Sequence, residues 1–130
     1  MKKKILITGA AGFFGSHFIQ EILTYTEWDI VGLCRMSQIG DIERILDIKH
    51  IQDYKHRIKL VYHDLKFDIP EHLVSKIGQV DYIAHLAANS HVDRSITYPK
   101  QFFEDNVLGT VNLLEWYRKT NPDAVFINYI

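Results

Sequence analysis

Cys34 is the single cysteine among 130 residues, so no internal disulfide can form. Burial and hydrogen bonding must hold the chain together, and a reducing, cytoplasmic setting is the expectation. Long apolar runs are missing as well: nothing approaches the roughly 18 residues that cross a bilayer. The apolar stretch behind Lys2, Lys3 and Lys4 is only Ile5 to Ile7 before polar Thr8, too short for a signal peptide. Charge of one sign is missing too. A formal net charge of −1 removes the electrostatic case for nucleic acid or an anionic membrane as partner. There is no internal repeat and no low-complexity linker. What is present is a hydrophobic fraction of 47%, enough for one globular core in a chain of this length.

That apolar content is distributed in a regular alternation. "KILITG", "DIVGLC", "RIKLVYHD", "VDYIAHLAA" and "AVFINYI" are short β-forming runs. Helical spacing lies between them. "GFFGSHFIQEILTYT" places Phe14, Phe18, Ile22 and Tyr25 on one face, and "DIERILDIKHIQDY" reads as a helix or helical turn. "PEHLVSKIG" is opened by Pro70 and closed by Gly78. The long segment from Pro99 to Asn121 predicts a helix with Pro99 at its first position and Phe103, Val107, Leu114 and Tyr117 on one face. Strands alternating with helices predict an α/β, doubly wound parallel sheet of about five strands, Rossmann-like, in one domain over 1–130. The last strand, "VFINYI" from Val125 to Ile130, has no turn signal behind it. The domain is therefore expected to break off in or after its fifth strand, without a substrate domain. In such sheets ligands lie beyond the carboxyl ends of the strands, so the residues after each strand carry the information.

After the first strand comes "TGAAGFFGSH", with Gly9, Gly12 and Gly15 between a strand and a helix. Glycines there let a pyrophosphate approach the backbone, and the helix amino terminus supplies free N–H groups. The spacing is G-x-x-G-x-x-G, which resembles the extended branch of the short-chain dehydrogenase/reductase superfamily. After the second strand, "GLCRMS" has Cys34 where an acid would hold the adenosine ribose, then Arg35 and Ser37. A guanidinium suits a 2′-phosphate, so NADP is favoured over NAD. After the third strand stands Asp64 with Leu65. The resemblance implies that this pair holds adenine; the other reading is a turn aspartate.

After the fourth strand, "HLAANSHVDRSITYPKQFFEDNVLGTVNLLE" is the most specific stretch. It is similar to the nucleotide-sugar 4,6-dehydratases of the epimerase/dehydratase family, particularly the dTDP-glucose type. Arg35 and "VYHDL" look more like the GDP-mannose type. The resemblance implies a cofactor site at Gly9, Gly12, Phe13, Phe14, Gly15, Arg35, Ser37, Asp64, Leu65, Leu86, Ala87, Ala88, Ser90 and Asn106. It implies that Ser90, His91 and Val92 border a nucleotide-sugar substrate. Asp105 departs from the family pattern, which has Thr before the Asn. Family members are often dimers through helices that include the long one.

Two other chemistries fit poorly. Ser90, His91 and Asp93 are chain neighbours, whereas hydrolase triads assemble in space, and no G-x-S-x-G elbow is present. His85 and His91 lack further ligands at metal spacing, so no metal is expected and His85 is read as packing at a strand end. The family's catalytic groups are an Asp-Glu pair and a Tyr-x-x-x-Lys, and no usable copy is found. Tyr25, Tyr98 and Tyr117 are followed at the fourth position by Asp29, Phe102 and Asn121, and Tyr129 by no residue of the 130. These groups are accordingly expected beyond Ile130, with no catalytic residue in this chain. The expectation is therefore the cofactor-binding part of a dehydratase that oxidises sugar C4, eliminates water across C5–C6 and returns hydride to C6. This chain alone is expected to be inactive. The alternatives are a nucleotide-sugar 4-epimerase or a non-catalytic NADP-binding module.

Overall fold

The computed structural model describes residues 1–35 and 42–129. Ser37 and Ile130 lie outside the described residues. The expectation that the fifth strand runs on to Ile130 therefore has a described part only: the strand itself is Val125–Asn128. Asn128 is the last residue in register with β4, opposite His85. Five strands form one parallel sheet in the order β3-β2-β1-β4-β5: β1 Lys4–Thr8, β2 Asp29–Cys34, β3 Ile58–Tyr62, β4 Tyr82–His85 and β5 Val125–Asn128. The order reverses between β1 and β4, which leaves a crevice at their carboxyl ends. The Rossmann-like α/β expectation therefore holds.

The reason is visible along β1. Ile5 and Ile7 point into one core with Ile19, Ile22 and Ile30. Leu6 points into the other with Val31, Val61, Ile83 and Leu113. Both faces are covered, so Ile5, Leu6 and Ile7 are apolar in succession and not alternating. The first core is roofed by α1 (Phe13–Tyr25) and the short helices α2 (Glu43–Leu46) and α3 (Ile51–Tyr54). A single 3₁₀ turn, Lys55–Arg57, leads from α3 into β3. The second core is roofed by α4 (Glu71–Ile77) and by the long helical segment from Pro99 to Thr120.

Two helix faces differ from expectation. In α1 the buried residues are Gly15, Ser16, Ile19, Ile22 and Leu23, whereas Phe14 is 57% and Tyr25 78% exposed. The helix is drawn to the sheet through its small residues at the glycine turn, so the aromatic row sits on the flank. The long helix is α6 (Pro99–Phe103), a π turn (Glu104–Leu108) and α7 (Gly109–Thr120). Its buried residues are Gly109, Leu113 and Trp116, while Phe103, Val107 and Leu114 are exposed. A π turn inserts one residue and rotates everything after it, so a face drawn at uniform helical spacing misses. A further short helix, α5 (Val92–Thr97), follows the fourth strand, where the sequence suggests only a loop at Ser90 and His91.

Candidate functional site

A pocket opens at the carboxyl ends of β1, β2, β3 and β4. It is lined by the glycine turn (Gly9, Ala11, Gly12), by Leu33, Cys34 and Arg35, by His63 to Lys66, by Leu86 to Asn89, and by Asp105. Each group enters from the residues at or just after a strand end, apart from Asp105 on the π turn.

The glycine turn is set by contacts that no side chain survives. Gly9 has φ +67°, and a Cβ there would stand 2.9 Å from both the Cα and the N of Ala87. A Cβ on Gly15 would be 2.1 Å from the Gly9 carbonyl oxygen. Gly12 N–H donates to Gly9 O at 3.0 Å and closes the turn. Gly12 is also the residue before α1, and no side chain caps that helix. No acid stands in its first turn. The amides at the start of a 13-residue helix thus face the pocket side without a side-chain partner or a repelling charge, which suits an anion. The rings of Phe13 and Phe14 are exposed, and the Phe14 ring lies 5.7 Å from that of Tyr129.

Behind the pocket, buried Thr8 and His85 form a relay with half-buried Asn106 and Thr110. Thr110 Oγ1 donates to Asn106 O at 2.8 Å, so it accepts from His85 Nε2 at 2.9 Å. His85 Nδ1 is then the acceptor for Thr8 Oγ1 at 2.6 Å. Thr8 Oγ1 in turn accepts from Leu86 N–H and Ala87 N–H. This arrangement satisfies every partner with a neutral imidazole. Burial lowers the His85 pKa from its ordinary value, in keeping with that state. The relay fixes the backbone of Leu86 and Ala87, which lines the pocket. Burial also pushes the Cys34 thiol up to about 11, so it is a small apolar wall and not a nucleophile.

On the rim, Asp64 Oδ1 accepts from Lys66 N–H at 3.1 Å, and Lys66 Nζ stands 3.7 Å from Oδ2. Asp64 is therefore a turn aspartate and a pocket residue at once. Arg35 Nη1 donates to Asp105 Oδ1 at 2.9 Å. Asn106 Oδ1 accepts from Asn89 N–H at 2.7 Å, and its Nδ2 donates to Asn89 O at 2.9 Å. The π turn is what aims Asn106 and Asp105 at this loop.

Of the expected cofactor residues, Gly9, Gly12, Arg35, Asp64, Leu65, Leu86, Ala87 and Ala88 come together around the pocket. Gly15 packs beneath the turn, and Asn106 acts through Asn89. Ser90, His91 and Val92 are exposed beside the opening and do not line it. Lys66, His63 and Asn89 carry no signal in the sequence that singles them out. Tyr62 and Lys66 do have Tyr-x-x-x-Lys spacing, but they lie on a strand and the turn after it, so they share no helical face.

A sequence model of the GDP-mannose 4,6 dehydratase family matches residues 6–129. A dTDP-glucose 4,6-dehydratase of Escherichia coli is 38% identical over 116 residues, which are 89% of this chain and 31% of that protein. Among solved structures, the UDP-Glc/GlcNAc 4-epimerase from Campylobacter jejuni has a TM-score of 0.79 at 29% identity, covering 97% of this chain and 36% of the other. A dTDP-glucose 4,6-dehydratase from Streptomyces venezuelae, solved with NAD bound, has a TM-score of 0.77 at 32% identity, covering 89% and 36%. The chain thus spans about a third of the length of these relatives. By sequence over nearly its whole length, and by fold, the chain belongs to the GDP-mannose 4,6 dehydratase family.

Proposed function

We propose that this chain is the dinucleotide-binding part of a nucleotide-sugar 4,6-dehydratase. The observation that carries the reading is the pocket at the β1/β4 switch point, with an uncapped helix amino terminus on one side and Asp64 with Leu65 on another. In this reading Gly9, Gly12 and the first-turn amides of Phe13, Phe14 and Gly15 hold the pyrophosphate. Asp64 and Leu65 take the adenine, and Arg35 with Ser37 the adenosine ribose. Leu86, Ala87 and Ala88 give the dinucleotide a flat backbone wall, which the His85 relay keeps in place. Asn106 supports that side through Asn89, and Ser90, His91 and Val92 stand beside it, toward the sugar.

The bound dinucleotide supplies a reversible hydride store for oxidation at sugar C4 and reduction at C6. This chain's residues bind and orient it. Residues 1–130 hold no Asp-Glu pair, and their one Tyr-x-x-x-Lys spacing, Tyr62 with Lys66, starts on a strand, so in this reading the 130 residues alone bind without turnover. Arg35 is the ground for preferring NADP over NAD. We place the protein in the cytoplasm. Exposed Val107, Val111 and Leu114 on the long helix suit a homodimer, which sedimentation would test. Isothermal titration with NAD and NADP, beside an assay for 4-keto-6-deoxy sugar, tests the core of the reading. Saturable one-site binding without product is expected. No binding, or turnover by this chain, would refute it. The likeness to a 4-epimerase favours a second reading, in which hydride returns to C4 and no water is lost. Product analysis of a protein carrying this part and its catalytic groups separates the two.

A further inference from the structure

Arg35 does not face the pocket alone. Its Nη1 donates to Asp105 Oδ1 at 2.9 Å, and its Nη2 lies 3.4 Å from Asn89 Oδ1. Asn89 Nδ2 donates to the second oxygen of Asp105. The Asp105 side chain is 6% exposed, so both of its oxygens are committed within this cluster. Asn89 is itself held from both backbone atoms by Asn106. Three separate chain segments therefore fix one ion pair on the pocket wall: the end of β2, the loop after β4 and the π turn. Among the described lining residues the other lysine or arginine, Lys66, stands beside the Asp64 carboxylate at 3.7 Å. Among the described lining residues the charges cancel, although Arg35 read by itself promises a positive site.

We propose that Asp105 is a cofactor-selectivity residue. Its carboxylate occupies Arg35 and opposes a 2′-phosphate, so the preference for NADP over NAD is held below what Arg35 alone would give. The proposal rests on the dinucleotide reading of the pocket. A phosphate dianion must share or displace the carboxylate to reach the guanidinium, and it meets a negative charge at close range in a partly desolvated place. A free 2′-hydroxyl carries no such penalty, since it can donate to a carboxylate. Asp105 stands 70 residues from Arg35 in the chain, on an element unrelated to the strand end where this selectivity is usually sought.

The test is a calorimetric titration of the purified protein with NAD and with NADP at one ionic strength. Wild type is compared with Asp105→Asn and Asp105→Ser, each checked for cooperative unfolding. The ratio of the NAD dissociation constant to that of NADP is expected to rise about tenfold in both variants, the worth of one charge-assisted contact. In an Arg35→Gln background the rise should shrink, because no guanidinium is left to release. An unchanged or falling ratio in a folded variant overturns the role of Asp105 while leaving the pocket reading intact. Failure of the wild type to bind either dinucleotide overturns both.

Discussion

At the amino ends of the strands, buried polar groups tie elements together; at the carboxyl ends, the same kinds of group frame a cavity. Arg57 shows the first pattern. It is buried before β3, and its guanidinium donates to the carbonyls of Leu23, Thr26 and Trp28, which lie at the end of α1 and the approach to β2. A cation at a helix carboxyl terminus also meets the negative end of the dipole. Trp28 stacks on Tyr82 with ring centroids 4.6 Å apart and an interplanar angle of 4°. Asn121 bridges α7 to the start of β4 through Val80 N–H and Gly78 O. Every one of these groups is spent on stability. At the carboxyl ends, Gly9 holds a left-handed φ, α1 begins without a side-chain cap, and the Thr8–His85 relay positions a loop whose other face is open. One end of the sheet is fastened, and the other is shaped to receive a ligand. Changes at the two ends should therefore separate stability from binding.

The largest effect is expected from Gly15→Ala. The added methyl would fall 2.1 Å from a backbone oxygen, and no flexible side chain can yield. Stability should drop by about 3 kcal/mol or more, and dinucleotide binding should vanish even where the protein remains folded. Urea unfolding with a parallel titration measures both. Arg57→Met should come next. It leaves several buried carbonyls without a charged donor, and a loss of about 3 kcal/mol is expected. The dinucleotide dissociation constant should stay the same at a temperature where both proteins are folded. A changed constant would break the division between the two ends.

The smallest effect concerns pH. The folded-state pKa of His85 lies below its ordinary value of 6.5, because burial disfavours the charged ring. The unfolded chain therefore binds the extra proton first as pH falls. The stabilising contribution is complete above about pH 6.5 and is lost progressively below it. Thermal unfolding of the wild type should weaken from pH 7 to pH 5. His85→Gln should lower stability at pH 7 and flatten that slope. A slope that survives the substitution would assign the acid sensitivity to other groups.

What sequence can show follows from how local each cause is. The strands, the glycine turn, Pro70 and Gly78 around α4, and Pro99 at a helix start all depend on neighbours in the chain, and all appear where expected. The aromatic face drawn for α1 fails because its packing is decided by Gly15 against Gly9, a contact of backbone with backbone. The face drawn for the long helix fails because nothing in "FFEDNVLG" announces a π turn. Helix α5 is hard to see because Val, Ser and Thr are weak helix formers. Arg57 has the look of a surface arginine in sequence, since its three carbonyl partners lie 29 to 34 residues away. Arg35 can be noticed as a cation after β2, but its partner Asp105 cannot. Only the fold brings the two together.

The central claim is that a dinucleotide occupies the strand carboxyl ends, and amide chemical-shift mapping during titration with NADP or NAD tests it most directly. Saturable shifts are expected at Gly9, Gly12, Gly15, Asp64, Leu65 and Ala87, with Trp28, Arg57 and Val80 at the opposite end unmoved. Shifts clustered at the amino ends, or none at saturating dinucleotide, would contradict it.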